Sequence, residues 1–327
     1  MPTTHRSEVP FTPRHILVGA GDHAEIAARI AAVRPDLQVR GGMHTALTSD
    51  DLAWADTYVG FKPPRSADAM GNVRWVHCTG AGVDAWLGTS QLGRATLDPS
   101  ILLTRTNESF GPAIAEWALA RVFAFQQRLR ALDAAQRATT WAPLEYARLA
   151  GTRALVVGTG DIGRAVARAF AALGVVVTGV SLRGASDEPA FTRVFPVDRL
   201  AEFVGDAEWI MLAVPNTQAS RHLFSRAVMA KCRGAVLLNA GRGAVVEESA
   251  LPEALDNGWL SGAALDVFES EPLSADSPLW HDGRVMISPH ISGPTTAQGA
   301  ASGFLDCLAA LDRGEIPKWQ VDRLVGY

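Results

Sequence analysis

The sequence predicts an α/β protein made of two doubly wound parallel-sheet domains. Short β-rich runs alternate with helical stretches along nearly the whole chain, the order that lays helices over both faces of a parallel sheet. The length of 327 residues is enough for about two domains, each with a buried core. In the second half, the glycine-rich turn Gly158-Thr159-Gly160-Asp161-Ile162-Gly163 stands between an apolar run and a helical one.

The first series has strand-like runs at His15–Gly19, Thr57–Phe61, Arg74–Cys78 and Ile101–Arg105, with a helical segment at Ala24–Val33. Gly111–Leu132 carries Ile114, Trp117, Ala118, Arg121, Val122 and Phe125 near helical spacing and is expected to be one helix joining two domains. The second series runs through Arg153–Val157, Val175–Val180, Trp209–Val214, Ala235–Leu238, Ala263–Val267 and Val285–Ser288, six strands in all. After the break at Gly293-Pro294, Thr296–Leu311 is helical in pattern and is expected to return to the first domain.

Composition excludes several classes. Hydrophobic residues at 48% and charged residues at 20% are ordinary globular usage, so the chain is neither disordered nor fibrous. Lys+Arg 30 against Asp+Glu 34 gives a net charge of −4 without any basic stretch, and nucleic acid is not an expected partner. The chain uses arginine heavily, its only lysines being Lys62, Lys231 and Lys318, so any single Arg is weak evidence. Cys78, Cys232 and Cys307 are scattered and form no C-x-x-C pair, which argues against a disulfide framework or thiolate metal site and for a reducing cytoplasm. Residues 1–14 hold no apolar leader core, and no run approaches the roughly eighteen apolar residues of a membrane span. A soluble, cytoplasmic protein without membrane partners is expected.

The turn Gly158–Gly163 reads G-x-G-x-x-G in strand-turn-helix context. Its first Gly permits a tight turn, its second lets backbone approach a pyrophosphate, and its third lets helix and strand pack closely. The helix start then offers amides and a positive dipole end to phosphates. Gly158, Thr159, Gly160, Asp161, Ile162 and Gly163 are therefore candidate cofactor contacts in a Rossmann domain. An NAD site usually has an acidic residue at the end of the next strand, for the ribose 2′-hydroxyl. Here stand Val180-Ser181-Leu182-Arg183. Ser181 can donate to a 2′-phosphate and Arg183 can pair with it, so NADP(H) is expected in preference to NAD(H), with NAD(H) left open.

Three segments place polar residues just after predicted strands: Asn239-Ala240-Gly241-Arg242-Gly243, Asp266-Val267-Phe268-Glu269-Ser270-Glu271-Pro272 and Ser288-Pro289-His290-Ile291-Ser292-Gly293. Reduction of a 2-keto acid by hydride transfer puts negative charge on the carbonyl oxygen and requires a proton donor beside it and a cation for the carboxylate. His290 can donate that proton, Glu271 can favour its protonated form, and Arg242 offers a planar fork to the substrate. Asp266 can reach a nicotinamide carboxamide. No metal is required.

These motifs, in this order and spacing, resemble the D-isomer-specific 2-hydroxyacid dehydrogenase family, within it the glyoxylate/hydroxypyruvate reductase branch. The resemblance extends over nearly the whole chain, including Thr79-Gly80-Ala81-Gly82-Val83-Asp84, Ser277-Pro278-Leu279-Trp280 and Gly326-Tyr327. It implies Arg242, Glu271 and His290 as catalytic residues, Pro215, Ala240 and Asp266 as cofactor contacts, and Gly80, Ala81 and Gly82 as backbone donors to the substrate carboxylate, a role suited to successive amides in a turn. It also implies residues 1–106 and 295–327 as a flavodoxin-like substrate domain, residues 107–294 as the Rossmann cofactor domain, a closing cleft between them, and a homodimer formed through the cofactor domain. Trp141 either packs within the chain or lines a partner's site, and the Lys62-Pro63-Pro64-Arg65 loop is read as cleft wall. Trp54, Trp75 and Trp209 are expected in the core or on strands. A nucleotide-sensing corepressor of the same fold and a phosphite dehydrogenase are the alternatives. Formate dehydrogenases typically have Gln where Glu271 stands.

Overall fold

The computed structural model describes residues 11–65, 70–88, 97–106, 110–323 and 326. Residues 1–10, the expected domain boundary at 107 and Tyr327 lie outside the described residues. The chain divides into two compact units, one of Met1–Ser109 with Thr295–Tyr327, the other Phe110–Pro294.

The first unit contains β1 (His15–Gly19), α1 (His23–Val33), β2 (Gln38–Gly42), α2 (Ser49–Trp54), β3 (Thr57–Val59), β4 (Trp75–Cys78), α3 (Asp84–Leu87) and β5 (Leu102–Arg105). Its sheet is wholly parallel with strand order β2-β1-β3-β4-β5, a flavodoxin-like doubly wound arrangement. Alternation along the strands divides the core into two layers. Ile16, Val18, Val59 and Trp75 pack with Ile26 and Ile30 of α1 and with Phe304 and Leu308 of the C-terminal helix Ala297–Asp312. Leu17, Tyr58, Val76 and Trp86 form the opposite layer. The C-terminal helix starts where Thr296 accepts the Gly299 N–H at 2.9 Å, a side-chain N-cap just beyond the predicted break. The Lys62–Arg65 loop is pinned at its start: Tyr58 Oη donates to the Lys62 carbonyl, and Trp86 Nε1 to the Phe61 carbonyl, both at 3.0 Å.

The second unit contains α4 (Gly111–Gln126), α5 (Leu129–Arg137), β6 (Arg153–Val157), α6 (Asp161–Ala172), β7 (Val176–Ser181), β8 (Arg193–Pro196), α7 (Leu200–Phe203), β9 (Trp209–Leu212), α8 (Arg226–Met229), β10 (Ala235–Asn239), α9 (Leu251–Asp256), β11 (Leu260–Leu265) and β12 (Val285–Ile287). Its parallel sheet has the order β12-β11-β10-β9-β6-β7-β8, the Rossmann arrangement with one further strand. β6, β9 and β10 are buried at both parities except for Arg153, as expected of strands covered on both faces.

Two sequence expectations are corrected, and one left open is narrowed. The strands β2 and β8 were not predicted, because each is an edge strand with few apolar residues, Gln38-Val39-Arg40-Gly41-Gly42 and Arg193-Val194-Phe195-Pro196. The joining helix ends at Gln126 rather than Leu132, since Arg128 adopts φ 53° and starts a second helix. The apolar stripe has run out there, and Arg130 instead donates to the carbonyls of Gly283 and Val285 at 3.0 and 2.7 Å. Finally, Trp141 does not pack within the chain: it is 96% exposed. Trp75 and Trp209 are buried, while Trp54 is partly exposed. The three cysteines are free and buried, and burial pushes the Cys232 and Cys307 thiols up to about 12 and about 11. No helix among the described residues is long and apolar enough to cross a membrane.

Candidate active site

Register in the seven-stranded sheet determines where the motifs emerge. Val157 of β6 lies opposite Leu212 of β9, Leu212 opposite Asn239 of β10, Asn239 opposite Leu265 of β11, and Leu265 opposite Ile287 of β12. The strands run parallel, so Gly158, Ala213, Ala240, Asp266 and Ser288 all leave the sheet along one carboxyl edge. Open parallel sheets bind ligands on that edge where strand order reverses, here between β6 and β9.

Gly158 turns out of β6 at φ 101°, and a Cβ there would stand 2.5 Å from the Ala213 carbonyl oxygen. A Cβ on Gly163 would stand 1.8 Å from the Gly158 oxygen. These two glycines are required by the fold itself. Gly160, the N-cap of α6, has open space where its Cβ would be. The turn thus leaves room at the N-terminus of a twelve-residue helix, the positive end of its dipole. Thr159, Asp161 and Ile162 are partly exposed around it. These residues fit a dinucleotide pyrophosphate. On the same edge Ala240 is buried, and Pro215 is partly exposed with its carbonyl accepting from Ser220 Oγ at 2.6 Å.

The loop after β7 corrects one reading. Ser181 Oγ donates to the Ala185 carbonyl and accepts the Ala185 N–H, both at 3.1 Å, so its proton closes a turn rather than facing a phosphate. Arg183 is exposed and makes no ion pair with any described residue. The carboxylates farther along are held by guanidinium groups of α6: Asp187 by Arg164 at 2.5 Å and Glu188 by Arg168 at 2.9 Å.

The structure brings His290, Glu271 and Arg242 together. His290 Nδ1 lies 2.8 Å from Glu271 Oε2, while Glu271 Oε1 accepts the Phe268 N–H at 3.1 Å. Burial pushes the Glu271 carboxyl up, but the His290 hydrogen bond and charge, the Phe268 amide and the Arg242 guanidinium together hold it below the usual carboxylate range. An ionised Glu271 can only accept, so the proton of this bond sits on Nδ1. His290 Nε2 has no partner among the described residues. Arg242 is partly exposed, with Nη1 donating to the Gly241 carbonyl at 2.7 Å.

Asp266 underpins the His290 loop. It is 0% exposed, and its oxygens accept from Ser288 Oγ at 2.5 Å, Ile291 N–H at 3.0 Å and Ser292 N–H at 2.8 Å. Its carbonyl also accepts the His290 N–H at 2.8 Å. The carboxylate shapes the His290 loop from within.

Two supports escaped the sequence reading. Buried Asn239 donates from Nδ2 to the Arg242 carbonyl and accepts the Gly241 N–H, both at 3.1 Å, fixing the turn beneath the arginine. Trp117 Nε1 donates to Ser288 Oγ at 2.9 Å across 171 residues of sequence, a separation no local signal reveals. In the other unit, Gly80, Ala81 and Gly82 follow β4. The Phe61 ring covers Gly80, and Arg105 Nη1 donates to the Ala81 carbonyl at 2.8 Å.

Comparison with known proteins gives concordant results. Residues 119–292 match the family profile described as D-isomer specific 2-hydroxyacid dehydrogenase, NAD binding domain. Glyoxylate/hydroxypyruvate reductase A of Citrobacter koseri is 33% identical over 276 residues, covering 84% of this chain and 88% of the relative. Among solved structures, a D-isomer specific 2-hydroxyacid dehydrogenase from Xanthobacter autotrophicus in complex with NADPH and MES is 28% identical, covering 97% of this chain and 100% of that one, with a TM-score of 0.84. An NADPH-dependent glyoxylate/hydroxypyruvate reductase from Sinorhizobium meliloti in complex with NADP and sulfate is 27% identical, covering 96% and 100%, also with a TM-score of 0.84.

Proposed function

Because the chain belongs to the D-isomer-specific 2-hydroxyacid dehydrogenase family, an oxidoreductase family with a nicotinamide-binding domain, we propose that it reduces small 2-keto acids such as glyoxylate or hydroxypyruvate to D-2-hydroxy acids, preferring NADP(H) to NAD(H). The observation that carries this reading is the 2.8 Å His290–Glu271 pair, with Arg242 close enough to help hold the Glu271 carboxyl down.

When bound, the reduced nicotinamide supplies the hydride to the keto carbon. Arg242 engages the substrate carboxylate with its planar fork and draws charge toward the carbonyl oxygen. His290 donates a proton from Nε2 to that oxygen as negative charge develops, and accepts it back from the hydroxyl in the oxidative direction. Glu271 holds Nδ1–H, fixes the ring's orientation and stabilises the imidazolium. The pyrophosphate is assigned to Gly158–Gly163, with Pro215 and Ala240 on the same edge. Gly80, Ala81 and Gly82 keep their reading as an anion-binding turn.

The preference for NADP(H) is supported by the lack of a carboxylate at the end of β7 and by the exposed Arg183, which makes no ion pair among the described residues. It is also supported by the NADPH and NADP held by the two solved relatives. Arg183→Ala should weaken NADPH binding by about tenfold or more and leave NADH binding unchanged, as loss of one charge-assisted contact implies. Equal losses for both cofactors would remove Arg183 from 2′-phosphate recognition. A homodimer through the cofactor domain is supported by the exposed Leu129, Leu132, Trp141 and Tyr146.

The direct test follows nicotinamide absorbance with NADPH and NADH against glyoxylate, hydroxypyruvate, pyruvate and larger 2-keto acids. Fastest oxidation of NADPH with glyoxylate or hydroxypyruvate is expected. Failure to oxidise either cofactor across this panel would overturn the reading.

A further inference from the structure

Two histidines among the described residues stand in left-handed backbone, His222 at φ 51° and His290 at φ 54°, a region that only a few per cent of non-glycine residues occupy. Each sets a ring nitrogen on a glutamate of one short segment, residues 268–271. His290 takes Glu271, and His222 Nε2 lies 2.6 Å from Glu269 Oε1. Glycine would satisfy the backbone at 222 without strain, so an imidazole at this position points to a task for the side chain.

The surroundings define that task. His222 N–H donates to the Ala244 carbonyl at 2.8 Å, and Phe224 N–H donates to Val245 at 2.9 Å, fastening this strand-like stretch to the segment that follows Arg242. On the opposite side, Glu269 N–H donates to Glu248 Oε2 at 2.9 Å, and Phe268 N–H holds Glu271 at 3.1 Å. Gly243 lies so close to Phe268 that a Cβ would fall 1.8 Å from the Phe268 carbonyl carbon. The arginine-bearing and glutamate-bearing segments therefore touch, and the His222 ring spans them.

We infer that His222 and Glu269 form a second His–Glu pair that positions the first, clamping the Arg242 segment to residues 268–271 and so aiming Glu271 at His290. The inference rests on the roles proposed above for Arg242, Glu271 and His290. His222 is a positioning residue, acting through Glu269 and the segment that carries Glu271. Side chains that hold a reactive group in place act through geometry, where a shift of about 1 Å is enough to slow turnover severely.

The test compares His222→Gly, His222→Gln and wild type. Glycine removes the backbone strain together with the clamp, whereas glutamine keeps a donor near the Nε2 position. His222→Gly should keep its Tm within about 4 °C and its NADPH Kd unchanged, yet lose about tenfold in kcat. His222→Gln should restore kcat to within about twofold. Hydrogen exchange at the Phe268 and Glu269 amides should quicken in His222→Gly alone. Wild-type kcat in His222→Gly, equal loss in both variants, or unchanged exchange at those amides would overturn the clamp. Should the wild-type chain reduce no 2-keto acid, the proposed function falls, and the exchange experiment still decides whether the clamp exists.

Discussion

The His77 ring is wholly buried in the first unit, with Nδ1 2.8 Å from Thr104 Oγ1 and Nε2 2.9 Å from Thr106 Oγ1. Burial pushes its pKa from 6.5 down to about 3, so the folded protein holds it neutral while the unfolded chain protonates it near 6.5. The stability it protects is complete above 6.5 and is lost as pH falls from there toward 3, at about 1.4 kcal/mol per pH unit. Urea unfolding of the wild type should therefore weaken more between neutral pH and pH ~5 than that of His77→Gln; parallel declines would contradict this account. His290 is placed differently: its side chain is 43% exposed and one ring nitrogen lies on a carboxylate. Sequence singled out His290 from the other histidines because a proline-flanked motif follows a strand there. It gave no cue that Thr104 and Thr106, on a neighbouring strand and its exit, enclose His77. The same limit explains Ser181 and Asp266. Residue type suggested their ligands, but gave no cue that Ser181 closes the Ala185 turn or that Asp266 shapes the His290 loop.

At the level of elements, the turn before α6 makes a prediction that separates its glycines. Gly163→Ala forces a Cβ to within 1.8 Å of the Gly158 oxygen, whereas Gly160→Ala meets nothing within 4 Å. Gly163→Ala should thus destabilise the protein by about 2 kcal/mol or more, as overpacking does. Gly160→Ala should leave the Tm nearly unchanged while weakening cofactor binding. Thermal unfolding paired with a cofactor titration checks both, and a stable, fully binding Gly163→Ala would refute the tight-turn argument. Interior strands were legible because burial on both faces leaves continuous apolar runs such as Leu155-Val156-Val157 and Trp209-Ile210-Met211-Leu212. Edge strands β2 and β8 lack that signal. The end of α4 at Gln126 was also hidden, since alanine, leucine and arginine continue beyond it with good helical propensity, and the interruption comes from φ 53° at Arg128 and the tertiary bonds of Arg130.

Across the whole molecule, residues far apart in sequence meet because parallel strands deliver Asn239, Leu265 and Ile287 to one edge in register. Motif order and a doubly wound pattern made that edge readable in advance. The ties that harden it, Trp117 to Ser288 and His222 to Glu269, join segments with no shared periodicity. Trp141 at 96% exposure, with Leu129, Leu132 and Tyr146 also exposed, leaves apolar surface on the second unit. Sedimentation equilibrium at micromolar concentration should give the mass of two chains, and a monomer there would contradict the proposed dimer. The central claim is that His290 moves the proton that accompanies hydride transfer. Its most direct measurement is kcat for glyoxylate reduction by His290→Ala beside a titration of NADPH binding. A fall in kcat of about 10²–10⁴-fold with unchanged NADPH Kd is expected; turnover within a few-fold of wild type would contradict it.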